Sequence, residues 1–282
     1  MDLYNQLWRE LLECYDEREA KAIVRRLLEE VFGLSLTDIV CGNSEGIPKA
    51  SRRKLARMME RLKRSEPLQY IIGETGFMDR PFKVGPGVLI PRPETEELCR
   101  WMLESLDSWT SRPLDVLDLC SGSGCIAVSL ALALPQASVS GWELSGDALR
   151  IARSNARRLG ARVDFVKKDV LELPAVSSPR WDVMVSNPPY VCERERSAMD
   201  RNVLDYEPPQ ALFVPDDDPL LFYRSISNYA QWALRSGGWL FYEFNPLYED
   251  FLWETVAGLG FCNIEFKDDQ YGKTRFLCAR KE

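Results

Sequence analysis

The residues with the most chemistry to offer stand together at Ser186-Asn187-Pro188-Pro189-Tyr190, behind the apolar run Trp181-Asp182-Val183-Met184-Val185. The run reads as a buried strand. Two prolines end it, because proline lacks an N–H and fixes φ. Asn187, just before them, is held extended. The result is a stiff corner at the carboxyl end of a strand, the edge at which open α/β sheets bind ligands. Asn187 Oδ1 and the Pro188 carbonyl can each accept one N–H of a planar NH2 group, with Tyr190 packing on the flat group behind it. Such a nitrogen is a weak nucleophile because its lone pair is delocalised. Held still and aimed at an electrophilic methyl group, it is suited to methyl transfer. The competing structural reading is a rigid strand-to-loop turn with no chemistry.

Three other stretches could serve a ligand at the same edge. Cys120-Ser121-Gly122-Ser123-Gly124 follows the strand-like Asp115-Val116-Leu117-Asp118-Leu119 and precedes an apolar helix. Small residues there let the backbone approach a ligand at a helix N-terminus. With glycine only at 122 and 124, it is not the dinucleotide fingerprint. Glu143 closes the next strand, where an acid can take both hydroxyls of a ribose. Asp169 follows the third strand, placed to accept from the exocyclic amine of an adenine. Jointly with Asn187 these residues describe an adenosyl ligand across the strand ends, its reactive group facing the corner.

These side chains need a sheet to hold them. From Leu114 onward strand and helix alternate with short loops, which means a doubly wound parallel sheet. Gly237-Gly238 reads as the loop leading into a strand from Trp239 to Glu243, and Arg275 to Ala279 closes the sheet. The first 66 residues read instead as a helical domain. Leu3, Leu7, Leu11, Leu12 and then Ile23, Val24, Leu27, Leu28, Val31 and Phe32 recur at helical spacing, Gly33 offers a stop, and Ser35 a cap. A further helix from about Pro48 to Arg64 turns a basic face outward: Lys49, Arg52, Arg53, Lys54, Arg57, Arg61, Lys63 and Arg64 against the single acid Glu60. It is either a solvated face or a docking surface for an acidic or RNA-associated partner. Residues 67–95 read as a β-hairpin linker, with Tyr70-Ile71-Ile72 and Phe82-Lys83-Val84 as short strands. Pro91-Arg92-Pro93-Glu94-Thr95-Glu96 then opens a helix, as a connector or as a loop closing over a cofactor. The remaining domain is 96–282.

At these motifs the chain resembles the class I S-adenosylmethionine-dependent methyltransferases, and more narrowly the PrmC/HemK family of peptide-chain-release-factor glutamine methyltransferases. The likeness runs through Pro-Leu-Gln-Tyr at 67–70, Pro-Arg-Pro-Glu-Thr-Glu at 91–96, Asp-Leu-Cys-Ser-Gly-Ser-Gly-Cys-Ile-Ala at 118–127, Ser-Asn-Pro-Pro-Tyr at 186–190 and Tyr-Glu-Pro-Pro-Gln-Ala-Leu at 206–212. The resemblance implies a Rossmann-like seven-stranded α/β sheet with a small helical N-terminal domain. It implies methylation of the side-chain amide of the glutamine in a release factor's Gly-Gly-Gln motif. Asn187, Pro188, Pro189 and Tyr190 would form the catalytic corner. S-adenosylmethionine would lie on Asp118, Cys120, Ser121, Gly122, Ser123, Gly124, Glu143, Asp169, Val170 and Asn187. Two departures stand out: Cys120 where the family often has glycine, tolerable with a negative φ, and Glu243-Phe244-Asn245 without an expected glycine.

Composition excludes much else. The 282 residues carry a net charge of −7, which argues against a general nucleic-acid binder. There is no histidine, so the commonest general base and metal ligand is missing. Eight cysteines without a Cys-x-x-Cys pair point to reduced cytosolic thiols, with no zinc and no disulfide framework. No apolar run approaches the roughly 18 residues of a membrane span. Met1-Asp2-Leu3-Tyr4-Asn5 is not a signal peptide. A cytoplasmic monomer acting on a release factor is expected, with no metal, no membrane and no stable nucleic-acid complex. The rivals are an exocyclic-amine methyltransferase acting on adenine in DNA or RNA, and a non-catalytic cofactor-binding docking module.

Overall fold

The computed structural model describes residues 3–41, 47–106, 112–173 and 175–282. The chain forms two compact units, Met1–Glu74 with Met199–Tyr206, and Thr75–Ala198 with Glu207–Glu282.

The first unit is helical: α1 (Leu3–Arg9), α2 (Glu17–Phe32), α3 (Leu36–Val40), α4 (Lys49–Leu62) and α5 (Leu68–Ile72). Asp16 caps α2 by accepting from the Glu19 amide at 2.8 Å, and Gly33 closes it at φ +67°. Ser35 and Asp38 form a reciprocal capping box on α3. On α4, Leu55, Met58, Met59 and Leu62 join Val24, Leu27 and Leu28 in one core. Arg52, Arg53, Lys54, Arg57 and Arg64 are exposed. Arg61 pairs with Glu66, and Lys63 with Glu10 and Glu60. The side chain of Lys49 lies outside the described residues. The expected strand at Tyr70-Ile71-Ile72 is instead α5. A short apolar run does not distinguish a strand from a buried helical turn. Here Pro67 opens the turn and Gly73, at φ +94°, closes it by donating to the Gln69 carbonyl at 2.7 Å.

The second unit opens with a hairpin, β1 (Glu74–Phe77) and β2 (Arg80–Lys83). Its turn residues Met78 and Asp79 both have positive φ, the geometry that matches the twist of the flanking strands. Phe77 and Phe82 meet edge to face at 5.7 Å and enter the core. There follow α6 (Pro93–Ser105), β3 (Asp115–Leu119), α7 (Cys125–Ala133), β4 (Ser138–Glu143), α8 (Gly146–Leu159), β5 (Val163–Lys167), β6 (Trp181–Ser186), β7 (Val191–Cys192), α9 (Arg201–Leu204), β8 (Phe213–Val214), α10 (Leu221–Ala233), β9 (Leu234–Glu243), α11 (Glu249–Gly258), β10 (Phe261–Asp268) and β11 (Thr274–Lys281). The stretch holding α9 belongs with the helical unit, where the Tyr206 hydroxyl donates to the Arg64 carbonyl at 2.8 Å.

Seven strands form one sheet in the order β10-β11-β9-β6-β3-β4-β5. The sheet is not wholly parallel as expected: β11 runs antiparallel to both β9 and β10. The reason is length. Only residues 269–273 join β10 to β11, and a parallel return needs a crossover of a dozen residues or more. Nor does β9 begin at Trp239; it begins at Leu234, through Gly237 and Gly238. A Cβ on Gly238 would lie 2.9 Å from the Arg235 carbonyl and 3.0 Å from that of Asp182, so only glycine passes this irregularity in the β6–β9 pairing.

The middle strand, β6, is buried at every position. Val183 and Val185 pack into one core with α6, α7 and α8, while Trp181 and Met184 pack into the other with α10 and α11. At its amino end the buried Asp182 carboxylate accepts from Arg112 at 3.0 Å, Arg235 at 2.5 Å and the Asp115 amide at 2.9 Å. Among the described residues no helix is long and apolar enough to cross a membrane.

Candidate active site

A cavity of about 620 Å³ opens over the carboxyl ends of the sheet, within the range of small-molecule sites. Its wall includes Ser121, Gly122, Ser123, Glu143, Asp169, Val170, Asn187 and Pro189, which lie far apart in sequence.

The floor is the loop after β3. Ser121 donates its amide to the Trp142 carbonyl and its hydroxyl to the Asp118 carbonyl, each at 3.0 Å. That reversal puts Cys120 at φ +61°, Gly122 at +53° and Gly124 at +78°. A Cβ on Gly124 would lie 2.8 Å from the Phe165 ring. A negative φ was the condition on which cysteine would be tolerable at position 120, and the structure does not meet it. A side chain in the left-handed region costs roughly 1–2 kcal/mol. The thiol packs, half-buried, against the core that holds Trp142 and Tyr242, and burial raises its pKa. Asp118 lies fully buried, outside the cavity wall. Its Oδ2 accepts from the Ala127 amide at 3.2 Å, and its Oδ1 has no partner among the described residues. Burial pushes its pKa up to about 8.

Glu143 ties two loops together. Its Oε2 accepts from the Gly122 amide at 2.8 Å and its Oε1 from the Ser145 amide at 2.7 Å. A carboxylate has about four acceptor positions, so each oxygen keeps capacity for a hydroxyl in the cavity. Asp169 Oδ1 accepts from the Leu171 amide at 2.8 Å, which orients the carboxyl group in the wall. Val170 is buried beside it and Trp142 and Leu144 also line this part of the cavity. Apolar walls, two oriented carboxylates and a backbone open to close approach suit an adenosyl group, so these residues fit the expected cofactor.

The corner itself is wired to residues the sequence reading did not single out. Asn187 Nδ2 donates to Thr95 Oγ1 at 3.1 Å, Thr95 Oγ1 donates to Glu243 Oε2 at 2.7 Å, and Tyr190 Oη donates to Glu243 Oε1 at 3.1 Å. Asn187 and Pro189 line the cavity; Pro188 is buried; Tyr190 commits its hydroxyl to Glu243 and packs its ring on the core around Tyr242 and Phe244. Burial raises the pKa of Glu243, while hydrogen bonds from Thr95 and Tyr190 and the charge of Arg275 oppose that rise. Glu243 was visible in sequence as the end of the strand from Trp239 and as part of a departure from the family pattern, not as a site residue. The signal that could have found it is an acid closing an aromatic strand, the same signal that marked Glu143. In place of a glycine, Asn245 donates to Glu195 Oε2 at 3.0 Å and accepts from the Leu247 amide at 3.1 Å.

The segment before α6 and the first turn of α6 also reach the site. Gly87, Val88, Leu89, Pro91, Arg92 and Thr95 line the cavity. Buried Glu207 holds this segment, accepting from Arg92 Nη2 at 2.5 Å and from the Ile90 amide at 2.9 Å.

Comparison with known proteins gives two family matches, the PrmC N-terminal domain over residues 2–73 and the methyltransferase small domain over residues 95–205. A release factor glutamine methyltransferase of Bacteroides thetaiotaomicron is 40% identical over 271 residues, 96% of this chain and 96% of that protein. One from Flavobacterium psychrophilum is 38% identical over 96% of this chain and 95% of its own. One from Bacillus subtilis is 34% identical over 93% and 91%. Among solved structures, the 16S rRNA N2 G1207 methyltransferase of T. thermophilus, in complex with AdoMet and guanosine, superposes with a TM-score of 0.54 at 22% identity, covering 74% of this chain and 50% of its own. A methyltransferase from Pyrococcus furiosus gives 0.53 at 16% identity, covering 82% and 98%. These two share the fold.

Proposed function

The chain belongs to the release factor glutamine methyltransferase family, and from that premise we propose how its site acts on the glutamine of a Gly-Gly-Gln motif. It is an S-adenosylmethionine-dependent methyltransferase whose substrate is a release factor glutamine. The observation that carries the proposal is the direction of the Asn187 amide. Its NH2 is engaged by Thr95, so what it offers a ligand in the cavity is its carbonyl oxygen.

A substrate carboxamide brings two N–H donors. One goes to Asn187 Oδ1 and the other to the Pro188 carbonyl, which holds the NH2 plane and presents its nitrogen face. S-adenosylmethionine supplies a methyl group on a sulfonium, which leaves its bonding electrons with sulfur. Orientation of this kind is worth roughly 7–11 kcal/mol in favourable cases. As positive charge grows on the nitrogen, its N–H bonds to the two acceptors strengthen, so the corner favours the transition state over the ground state. The methylated nitrogen then sheds a proton to water, and no histidine base is needed. Glu143 would hold the ribose and Asp169 the adenine amine, with Gly122 and Gly124 letting the backbone approach the rest.

The exposed basic face of α4 supports a docking role for the helical unit toward an acidic surface of the release factor. A net charge of −7 supports an enzyme that forms no stable nucleic-acid complex, and eight cysteines without a Cys-x-x-Cys pair support a cytoplasmic setting. We read it as a monomer.

The test is incubation of the purified chain with S-adenosylmethionine and a release factor, followed by mass spectrometry of the peptide bearing Gly-Gly-Gln. One added methyl group on that glutamine is expected; an unmodified peptide overturns the reading.

A further inference from the structure

Glu243 takes no part in the chemistry above, yet its hydrogen bonds converge on the corner. It ends β9, is 1% exposed, and accepts a hydroxyl at each oxygen, Thr95 on one and Tyr190 on the other. A threonine hydroxyl has one hydrogen to give. With that hydrogen directed at Glu243, Thr95 Oγ1 has only lone pairs left for Asn187. The Asn187 amide must then meet it NH2 first. On the proposed function, we propose that Glu243, acting through Thr95, is the positioning residue that fixes which way the Asn187 amide faces. The cavity thereby receives a carbonyl and selects a substrate that brings N–H donors.

The proposal gives the direction of this chain a physical origin. An ionised carboxylate can only accept, so every link outward from Glu243 has a fixed polarity. Replace it with a group that donates, and Thr95 is free to give its hydrogen to Asn187 Oδ1. The amide then turns over, and its NH2 meets the substrate NH2, donor against donor. Tyr190 fastens the same carboxylate three residues beyond Asn187, so both ends of the Asn-Pro-Pro-Tyr corner close on one buried charge. Burial raises the pKa of Glu243, and the hydrogen bonds from Thr95 and Tyr190, with the charge of Arg275, oppose that rise.

The test uses the full chain carrying Thr95→Val, Thr95→Ser or Glu243→Gln. The first reading needs no substrate. In protein labelled with 15N at asparagine, the Asn187 side-chain amide is identified by its loss in Asn187→Ala. Its hydrogen exchange is then measured. Thr95→Val, which cannot accept, should speed that exchange by roughly three- to tenfold, the weight of one lost hydrogen bond. Thr95→Ser should leave it unchanged. The second reading is turnover of a glutamine peptide. Thr95→Val should lower kcat roughly ten- to hundredfold through misorientation, with the cofactor Kd within about twofold of wild type, and Thr95→Ser should stay near wild type. Glu243→Gln keeps one acceptor oxygen for two hydroxyls and should follow Thr95→Val; if it fails to fold, the Thr95 pair decides. Unchanged exchange in Thr95→Val overturns the positioning role, as does equal loss of kcat in the valine and serine variants. A wild-type chain that leaves release factor unmethylated overturns the proposed function instead, and the exchange measurement still judges Glu243 and Thr95.

Discussion

Arg92 and Glu207, 115 positions apart in sequence, meet at 2.5 Å beside the cavity, and the same carboxylate takes the Ile90 amide at 2.9 Å. Glu207 is 3% exposed, so removing it leaves a buried amide unpaired and frees one wall of the site. Glu207→Ala should cost roughly 1–3 kcal/mol of stability and raise the KM for both substrate and cofactor more than it lowers kcat. Thermal unfolding with steady-state kinetics checks it. An unaltered KM would mean that the wall holds without this pair.

Glu143 ties two loops together and is the acceptor we propose for the ribose. Its alanine variant loses two loop amides as well as that proposed acceptor. S-adenosylmethionine affinity should fall by roughly ten- to a hundredfold, equivalent to one or two bonds to a charged acceptor. Calorimetric titration measures this, and an unchanged Kd removes Glu143 from the site.

Asn187→Ala should lose roughly 10²–10³ in kcat, by analogy with deleting one oxyanion-hole donor, while the fold and most cofactor affinity survive. Asn187→Asp is the sharper variant. Considered alone, the new carboxylate still accepts and should retain activity. The Thr95–Glu243 chain says otherwise. The aspartate would press an acceptor against the lone pairs of Thr95, close to a second buried carboxylate. It should be as inactive as the alanine variant, and single-turnover rates on one peptide compare the two.

Neutralising Arg52, Arg53 and Arg57 together should raise the KM for intact release factor by roughly ten- to a hundredfold, through loss of long-range attraction. A short Gly-Gly-Gln peptide should show no change, since the patch lies outside the chemistry. Equal effects on both substrates would make the helix a solvated face.

Asp118 gives stability a pH slope. Its folded pKa is pushed up to about 8 by burial, above an unfolded value of about 3.9. The folded state therefore holds the proton more tightly. The stabilisation is complete below about pH 4 and is lost as pH rises through about 8. One proton contributes at most about 1.4 kcal/mol per pH unit. Denaturant unfolding of wild type should weaken between pH 5 and 8 relative to Asp118→Asn, which cannot titrate. Parallel curves for the two would show that Asp118 is ionised throughout.

The sequence made the cavity's strand-end residues legible because each ends a run of hydrophobic pattern with a polar residue. Asn187, Glu143 and Asp169 all carry that mark. Thr95 does not: it sits inside a helix start, and only the packing of α6 brings it to Asn187. Glu207 likewise lies in an irregular segment that no periodicity describes. Helices with caps, such as α2 and α3, were readable from local chemistry. The Tyr70 turn and the antiparallel return of β11 were not. The first depends on burial, which overrides a three-residue preference, and the second on loop length rather than strand composition. The φ of Cys120 could not be read from its residue type, because two hydrogen bonds of Ser121 impose it.

The buried Asp182 sets a ruler for the chemistry. A strand that is apolar on both faces has no wet side to tell one register from the next. The β6 strand would slide by a residue at little hydrophobic cost. Three hydrogen bonds to a charge at its amino end forbid that slide. Asn187 stands five positions on, about 16 Å along an extended chain. The place of the proposed acceptor corner is thus measured out from the opposite edge of the sheet, by residues outside the cavity wall.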